Sequence, residues 1–267
     1  MGKKLIFLDV DETLYSKSQR SVPDSAVKAV HMAQKNDHKV FINTGRPLVY
    51  FEKEILEIGF DRLLCSNGVQ IIIDGETIYH KELPLRAIEH IKKNCEKYKI
   101  RGIFEGSLCS YFYDHDESYH PYYGFMISAF DQHPYMNREY SWEHANKADK
   151  GIVFADTQSD MPGFIKSMDE INDIMEYIRI NDGQYELILK GHNKGTGLLA
   201  VAKHYRMTAD DCYVFGDSNN DTPMFDVAGH SIAMGNSCEE LKAIAEYVTD
   251  GVDDDGLYKA FKYYDLI

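Results

Sequence analysis

The chain has 267 residues, enough for one large domain or two ordinary ones, and its 44% hydrophobic and 27% charged residues suit a soluble globular protein with a real core. Its net charge of −14 lacks the basic footprint that nucleic acid or an anionic membrane requires, so an anionic substrate would need cations or a metal to reverse the field locally. The five cysteines (Cys65, Cys95, Cys109, Cys212 and Cys238) include no C-x-x-C pair and fit reduced thiols in a cytoplasm better than a disulfide framework.

The apolar run Leu5–Leu8 is too short for a signal peptide or membrane span, and reads as a buried strand that stops abruptly at Asp9, Asp11 and Glu12. Asp24 or Ser25 can cap a helix carrying Ala26, Val30 and Ala33. The strand "KVFINTGR" follows, then a stripe of Phe51, Ile55 and Ile58 closed by Gly59, then the strand "LLCSNG". Further on, Leu198, Ala202 and Tyr205 mark another helix, "CYVFGDSNND" and "SIAMGN" two more strand ends, and Leu241, Ile244 and Ala245 a last stripe. Continuous apolar strands alternating with amphipathic helices predict βαβ units and a parallel sheet covered on both faces.

From about Leu83 to Leu189 the pattern changes. "PLRAIEHIKKNCEKYK" predicts a helix with Ile88, Ile91, Cys95 and Tyr98 on one side, followed by β-like pieces ("CSYFYD", "YHPYYGFMIS"). A helix over Ile171, Ile174, Met175 and Ile178 is expected next, and then the strand "YELILK". The fold class is therefore α/β, a core of residues 1–82 and 190–267 with an α+β unit, 83–189, inserted between its halves.

Ligands of open parallel sheets bind at the carboxyl ends of the strands. Those ends carry Asp9 and Asp11; Thr44, Gly45 and Arg46; Asn67; and Asp217, Asn220 and Asp221, while the loop "KGHNKGTG" brings Lys190 and Lys194. Clustered carboxylates repel one another unless a hard divalent cation such as Mg²⁺ resolves the repulsion and bridges to a substrate phosphate. Asp9 at the strand tip is then the natural nucleophile, and Asp11 the general acid and base. Thr44 and Lys194 face the equatorial phosphoryl oxygens, Asp217 completes the metal shell, and Asp221 orients a ligand or Lys194. Arg46 and Asn67 lie at the rim. His115 and His120 have no spacing of a familiar metal-ligand pair and read as a Tyr/His-rich surface; Cys65 and Cys212 read as core.

The segments "DVDET", "NTGR", "KGHNKGTG" and "GDSNND", in that order, resemble the four motifs of the haloacid dehalogenase-like phosphohydrolases. The insertion matches the type IIB cap position of the Cof-type sugar-phosphatase branch, and the resemblance covers essentially the whole chain. It implies a Rossmann-like three-layer core, an α/β cap that sets selectivity, a Mg²⁺ cofactor and hydrolysis of small phosphorylated metabolites. By position, it implies metal ligation by Asp9, the Asp11 backbone carbonyl and Asp217, with Thr44, Gly45, Lys194 and Asn220 holding phosphate. Glu12 stands where the branch usually has glycine, so its carboxylate either faces solvent or crowds the phosphate; Asn43 replaces a commoner small residue. A phosphomutase on the same scaffold, or a phospho-ligand sensor without turnover, are the competing readings. A metal-dependent glycosyltransferase is disfavoured because no nucleotide-binding half precedes "DVD".

Overall fold

All four side chains of Leu5–Leu8 are buried, as in a central strand covered on both faces. The computed structural model describes residues 2–133 and 135–267. In chain order its regular elements are β1 (Leu5–Leu8), α1 (Asp24–Lys35), β2 (Lys39–Asn43), α2 (Lys53–Glu57), β3 (Arg62–Cys65), β4 (Gln70–Ile73), β5 (Glu76–His80), α3 (Leu85–Tyr98), β6 (Arg101–Glu105), β7 (Ser110–Phe112), α4 (Pro121–Gln132), β8 (Arg138–Glu139), β9 (Lys150–Phe154), α5 (Met161–Ser167), β10 (Met175–Asn181), β11 (Gln184–Leu189), α6 (Lys194–Tyr205), β12 (Cys212–Gly216), α7 (Thr222–Phe225), β13 (His230–Ala233), α8 (Glu239–Ile244), β14 (Tyr247–Val248) and α9 (Gly256–Tyr263).

One unit comprises the chain up to Arg46 with Phe51–His80 and His192–Ile267. Its sheet runs β14-β13-β12-β1-β2-β3-β4-β5, parallel from β14 through β3 and closed by the antiparallel strands β4 and β5. Leu5, Phe7, Phe41 and Val214 share a cluster with Leu198, Val201 and Ala202 of α6, and Phe7 stacks on Phe41 at 5.0 Å. On the other face Phe215 meets Phe261 of α9 at 5.1 Å, and α1 lies beside α9. The result is a Rossmann-like core of helix, sheet and helix layers.

The second unit comprises Pro47–Tyr50 and Lys81–Gly191. Its sheet runs β10-β11-β9-β6-β7-β8 and is antiparallel except between β7 and β8. The chain crosses between units after His80 and after Gly191, and the short segment 47–50 groups with the second unit as well. Tyr50 explains that grouping: its ring meets Phe130 at 4.9 Å and its hydroxyl donates to Glu105 Oε1 at 2.7 Å.

Local expectations fail in four places. "YHPYYGFMIS" belongs to the helix α4: Pro121 suits the first helical turn, His120 caps it by accepting from the Tyr122 amide, and Tyr123, Met126, Ile127 and Phe130 bury one face. Burial at helical spacing overrides the β preference of those aromatics. The helix expected over Ile171–Ile178 starts earlier, at Met161 behind an Asp160 cap, and ends in a 3₁₀ turn, Met168–Ile171; Met175 opens β10. At α1, Pro23 takes the cap position and Asp24 is the first helical residue. Finally, Ile244 is 47% exposed, whereas Leu241 is buried.

Phe7→Ala should therefore lower the unfolding free energy by about 3–5 kcal/mol, and Ile244→Ala should change it by no more than about 0.5 kcal/mol, read as shifts of the urea midpoint at constant slope.

Candidate functional site

The sheet order places β1 between β12 and β2, so three strand ends meet. Asp9 follows β1, its amide bonded to Phe215 O of β12, and is only 4% exposed. Lys194, the first residue of α6, is fully buried; its Nζ donates to Asp9 Oδ1 at 2.6 Å and Asp221 Oδ1 at 2.5 Å. Asp221 is also buried, and its second oxygen accepts from the amides of Asp217 and Ser218. Asp217 follows β12, and its Oδ1 is buried with no hydrogen-bond partner among the described residues.

Oxygens of Asp9, Asp217 and Asp221 lie within 4.8 Å of one another around a single ammonium. Burial, against the pull of Lys194 and aided by Asp221 and Asp11, pushes the Asp9 carboxyl up to about 7. Burial, then Asp9 and Asp221, push Asp217 up to about 8. Burial works against the Lys194 ammonium, but Asp221 and Asp9 hold it well above its ordinary pKa. These hard oxygen donors, one of them orphaned, fit a small divalent cation such as Mg²⁺.

Asp11 is placed differently. Arg46 Nε donates to its Oδ2 and Nη2 to its Oδ1, both at 2.8 Å, and Lys17 approaches at 3.6 Å. Burial alone would raise the Asp11 carboxyl, but Arg46 brings it down to about 2. Arg46 also reaches Glu52 at 2.6 Å. It is therefore committed to two carboxylates, which its placement at a substrate rim did not anticipate.

Thr44 is buried beyond β2; its Oγ1 accepts from the Arg46 amide and its carbonyl from the Asn67 amide. Asn67 is buried in a left-handed conformation, φ 59°, and a Cβ on Gly45 would sit 3.2 Å from its Oδ1. A side chain at position 45 would therefore press on the Asn67 amide. Asn220 stands apart from the buried group: it is exposed and its Oδ1 accepts from Ser218 Oγ. Lys190 is also outside, donating to Asn172 O in the second unit. Glu12 adopts φ 62°, and its carboxylate accepts from the Lys17 amide at 2.9 Å, which ties it to its own turn.

Asn43, noted in the sequence only as a deviation, is buried and donates to Lys194 O at 3.1 Å, joining the end of β2 to the first turn of α6. Glu52 and Lys17, which bracket the Arg46–Asp11 pair, carry no sequence signal; each is an ordinary surface-type residue until the fold brings it there.

An α/β core with an inserted α+β unit, and with buried acids around a lysine at the strand ends, defines a class of hydrolases. A model of the haloacid dehalogenase-like hydrolase family matches residues 6–261, and the chain belongs to that family, in its Cof-type branch, as a phosphatase. It is 28% identical over 274 residues to "Putative phosphatase YkrA" of Bacillus subtilis (strain 168), covering 100% of both chains. It is 25% identical over 276 residues to the 5-amino-6-(5-phospho-D-ribitylamino)uracil phosphatase YitU of the same organism, covering 97% of each. Among solved structures, the subclass IIB sugar phosphatase BT4131 superposes with a TM-score of 0.81 at 25% identity, covering 99% of this chain and 100% of that one. No helix among the described residues is long and apolar enough to cross a membrane.

The raised carboxyls make stability depend on pH. Folded Asp9 and Asp217 hold protons that the unfolded chain, with pKa near 3.8, has already lost, so their contribution falls as pH rises from about 4 through 7 and 8. In chelator, the melting temperature should decline between pH 5 and pH 8.5, and Mg²⁺ should raise it more at pH 8.5 than at pH 5. An equal Mg²⁺ effect at both would contradict the assignment.

Proposed function

We propose that the protein is a Mg²⁺-dependent phosphatase that hydrolyses small phosphate monoesters, sugar phosphates foremost, through an aspartyl-phosphate on Asp9. The observation that carries the reading is Asp9 itself, a buried carboxylate with one oxygen held by Lys194 and Asp217 close by with an orphaned oxygen. The names borne by YitU and BT4131, a ribityl phosphate phosphatase and a sugar phosphatase, support the substrate class.

Mg²⁺ held by Asp9, the Asp11 backbone carbonyl and Asp217 would supply the positive charge that keeps the carboxylates ionised and offsets charge on the phosphoryl oxygens. The free oxygen of Asp9 attacks phosphorus, and the ester P–O bond breaks as Asp11 gives its proton to the leaving oxygen. Asp11 then takes a proton from water, which attacks phosphorus, releases inorganic phosphate and regenerates Asp9. Lys194, Thr44 and Gly45 hold the equatorial oxygens, with Asn220 joining from the loop after β12. Asp221 keeps Lys194 aimed and charged. The Arg46 pair keeps Asp11 ionised, the form that accepts water's proton; that proton stays on Asp11 once it turns away from Arg46, and is the one it gives to the leaving oxygen of the next turnover.

The second unit serves as the cap, and we assign the choice of leaving group to it. The phosphomutase reading needs a place for a second phosphate. Cap arginines Arg86, Arg101, Arg138 and Arg179 are each paired with an aspartate, which favours hydrolysis.

With an aryl phosphate and Mg²⁺, Asp9→Asn should release no measurable inorganic phosphate, and Asp11→Asn should lose about 10²–10⁴-fold in kcat on an alkyl phosphate. Undiminished turnover by Asp9→Asn, or isomerisation of a sugar phosphate without phosphate release, would overturn the proposal.

A further inference from the structure

The second unit holds another group of metal-ligating side chains, far from Asp9 in sequence and unused by the chemistry above. His115 and Glu117 lie in the segment after β7, and Asp131 is in the last turn of α4. One ligating atom from each falls within 4.8 Å of the other two, the spread expected of donors about a common ion. The sequence pattern concealed this, because the partner of His115 is sixteen positions away rather than on a shared helix face.

The surroundings orient the donors. Asp131 Oδ1 accepts from Arg138 Nη2 at 3.0 Å and from the Tyr140 hydroxyl, while Oδ2 is turned to His115 Nε2 at 3.1 Å. The imidazole is set edge-on against the Tyr140 ring, with centroids 4.1 Å apart. One oxygen is thus fixed from behind and the other presented to the imidazole, which is how carboxylates beside metal centres are held. A simple imidazolium–carboxylate pair would use Asp131 alone; here Glu117 brings a second negative charge to the same spot.

We propose that His115, Glu117 and Asp131 form a divalent-metal site in the second unit, suited to Zn²⁺. The imidazole selects a borderline ion over Mg²⁺, and water completes the coordination because all three residues are exposed. The ion takes the place of the His115–Asp131 hydrogen bond, and staples the segment after β7 to the end of α4. The proposal is independent of the phosphatase chemistry.

The test is titration of the full-length protein with Zn²⁺ by calorimetry in saturating Mg²⁺, which occupies the Asp9–Asp217 group. The wild type should take up one equivalent, and His115→Ala and Glu117→Gln should each weaken that uptake by at least about 10-fold. Both variants should keep the wild-type melting temperature without Zn²⁺ and the wild-type phosphate release with Mg²⁺. Tyr140→Phe, which keeps every ligand, should weaken Zn²⁺ by a smaller factor. Absence of a saturable equivalent, wild-type affinity in both ligand variants, or loss of uptake in Asp217→Asn instead would overturn the site.

Discussion

The arrangement depends on one buried ammonium facing more negative charge than it can neutralise. Lys194 binds Asp9 and Asp221 directly, and Asp217 lies within reach of both carboxylates. Removing such charges from water costs several kcal/mol per ion, and a single Lys–Asp pair offsets only part of it. The raised pKa values of Asp9 and Asp217 express the remainder. A folded core retains such a deficit only where the surrounding packing over-determines it, and here the sheet does so. β1 lies between β2 and β12 in a fixed parallel register, with Leu8 opposite Ile42 and Phe215. Residues 185 positions apart are brought into contact because a central strand leaves its terminal residue nowhere else to go.

The second unit contrasts with this. Its buried Lys150 also meets two carboxylates, Glu105 at 3.0 Å and Glu186 at 2.5 Å, and Glu105 receives the Tyr50 hydroxyl. There two anions meet one cation with a neutral donor added. In the core, three carboxylates crowd one ammonium, and an orphaned oxygen remains. Glu105 Oε2 also lacks a hydrogen bond but lies 3.0 Å from the Lys150 ammonium, whereas Asp217 makes no ion pair among the described residues, and that missing cation separates a structural ion cluster from a group that needs a further one.

Legibility in the sequence followed the range of the forces involved. Leu5–Leu8, Lys39–Asn43 and Cys212–Gly216 are apolar runs ending in polar residues, and a buried strand with a ligand-bearing tip has to read that way. Asp9, Thr44, Asp217 and Asp221 were legible for that reason, and Lys194 from the loop "KGHNKGTG" before a helix. The antiparallel strands β4 and β5 went unmarked, although Asp74 and Gly75, both at positive φ, form the turn between them. The α4 helix was misread because Tyr, Phe and Ile favour strands when judged one at a time, and its helical burial is set by a sheet folded elsewhere. Pairings made only by tertiary contact, Arg46 with Glu52 or His115 with Asp131, leave no trace in a linear string.

The loop "KGHNKGTG" shows how one pattern supports two mechanisms. A glycine-rich stretch before a helix suggests a backbone cradle for phosphate, yet Gly195 and Gly197 answer to packing and Gly191 to a positive φ of 76°. A Cβ on Gly195 would lie 2.1 Å from Pro223 O, so α6 can approach the start of α7 only with glycine there. The Asn193 side chain accepts from the Thr196 amide, and the Thr196 hydroxyl accepts from the Asn193 amide in return, which satisfies the helix start. The capping and the close approach hold the first turn against the loop after β12, where Asp217 and Asp221 lie. Lys194 therefore enters the carboxylate group from a rigid helix end rather than from a mobile loop. The glycines and the cap position the cation, and the cation is what allows Asp9 and Asp221 to be buried side by side.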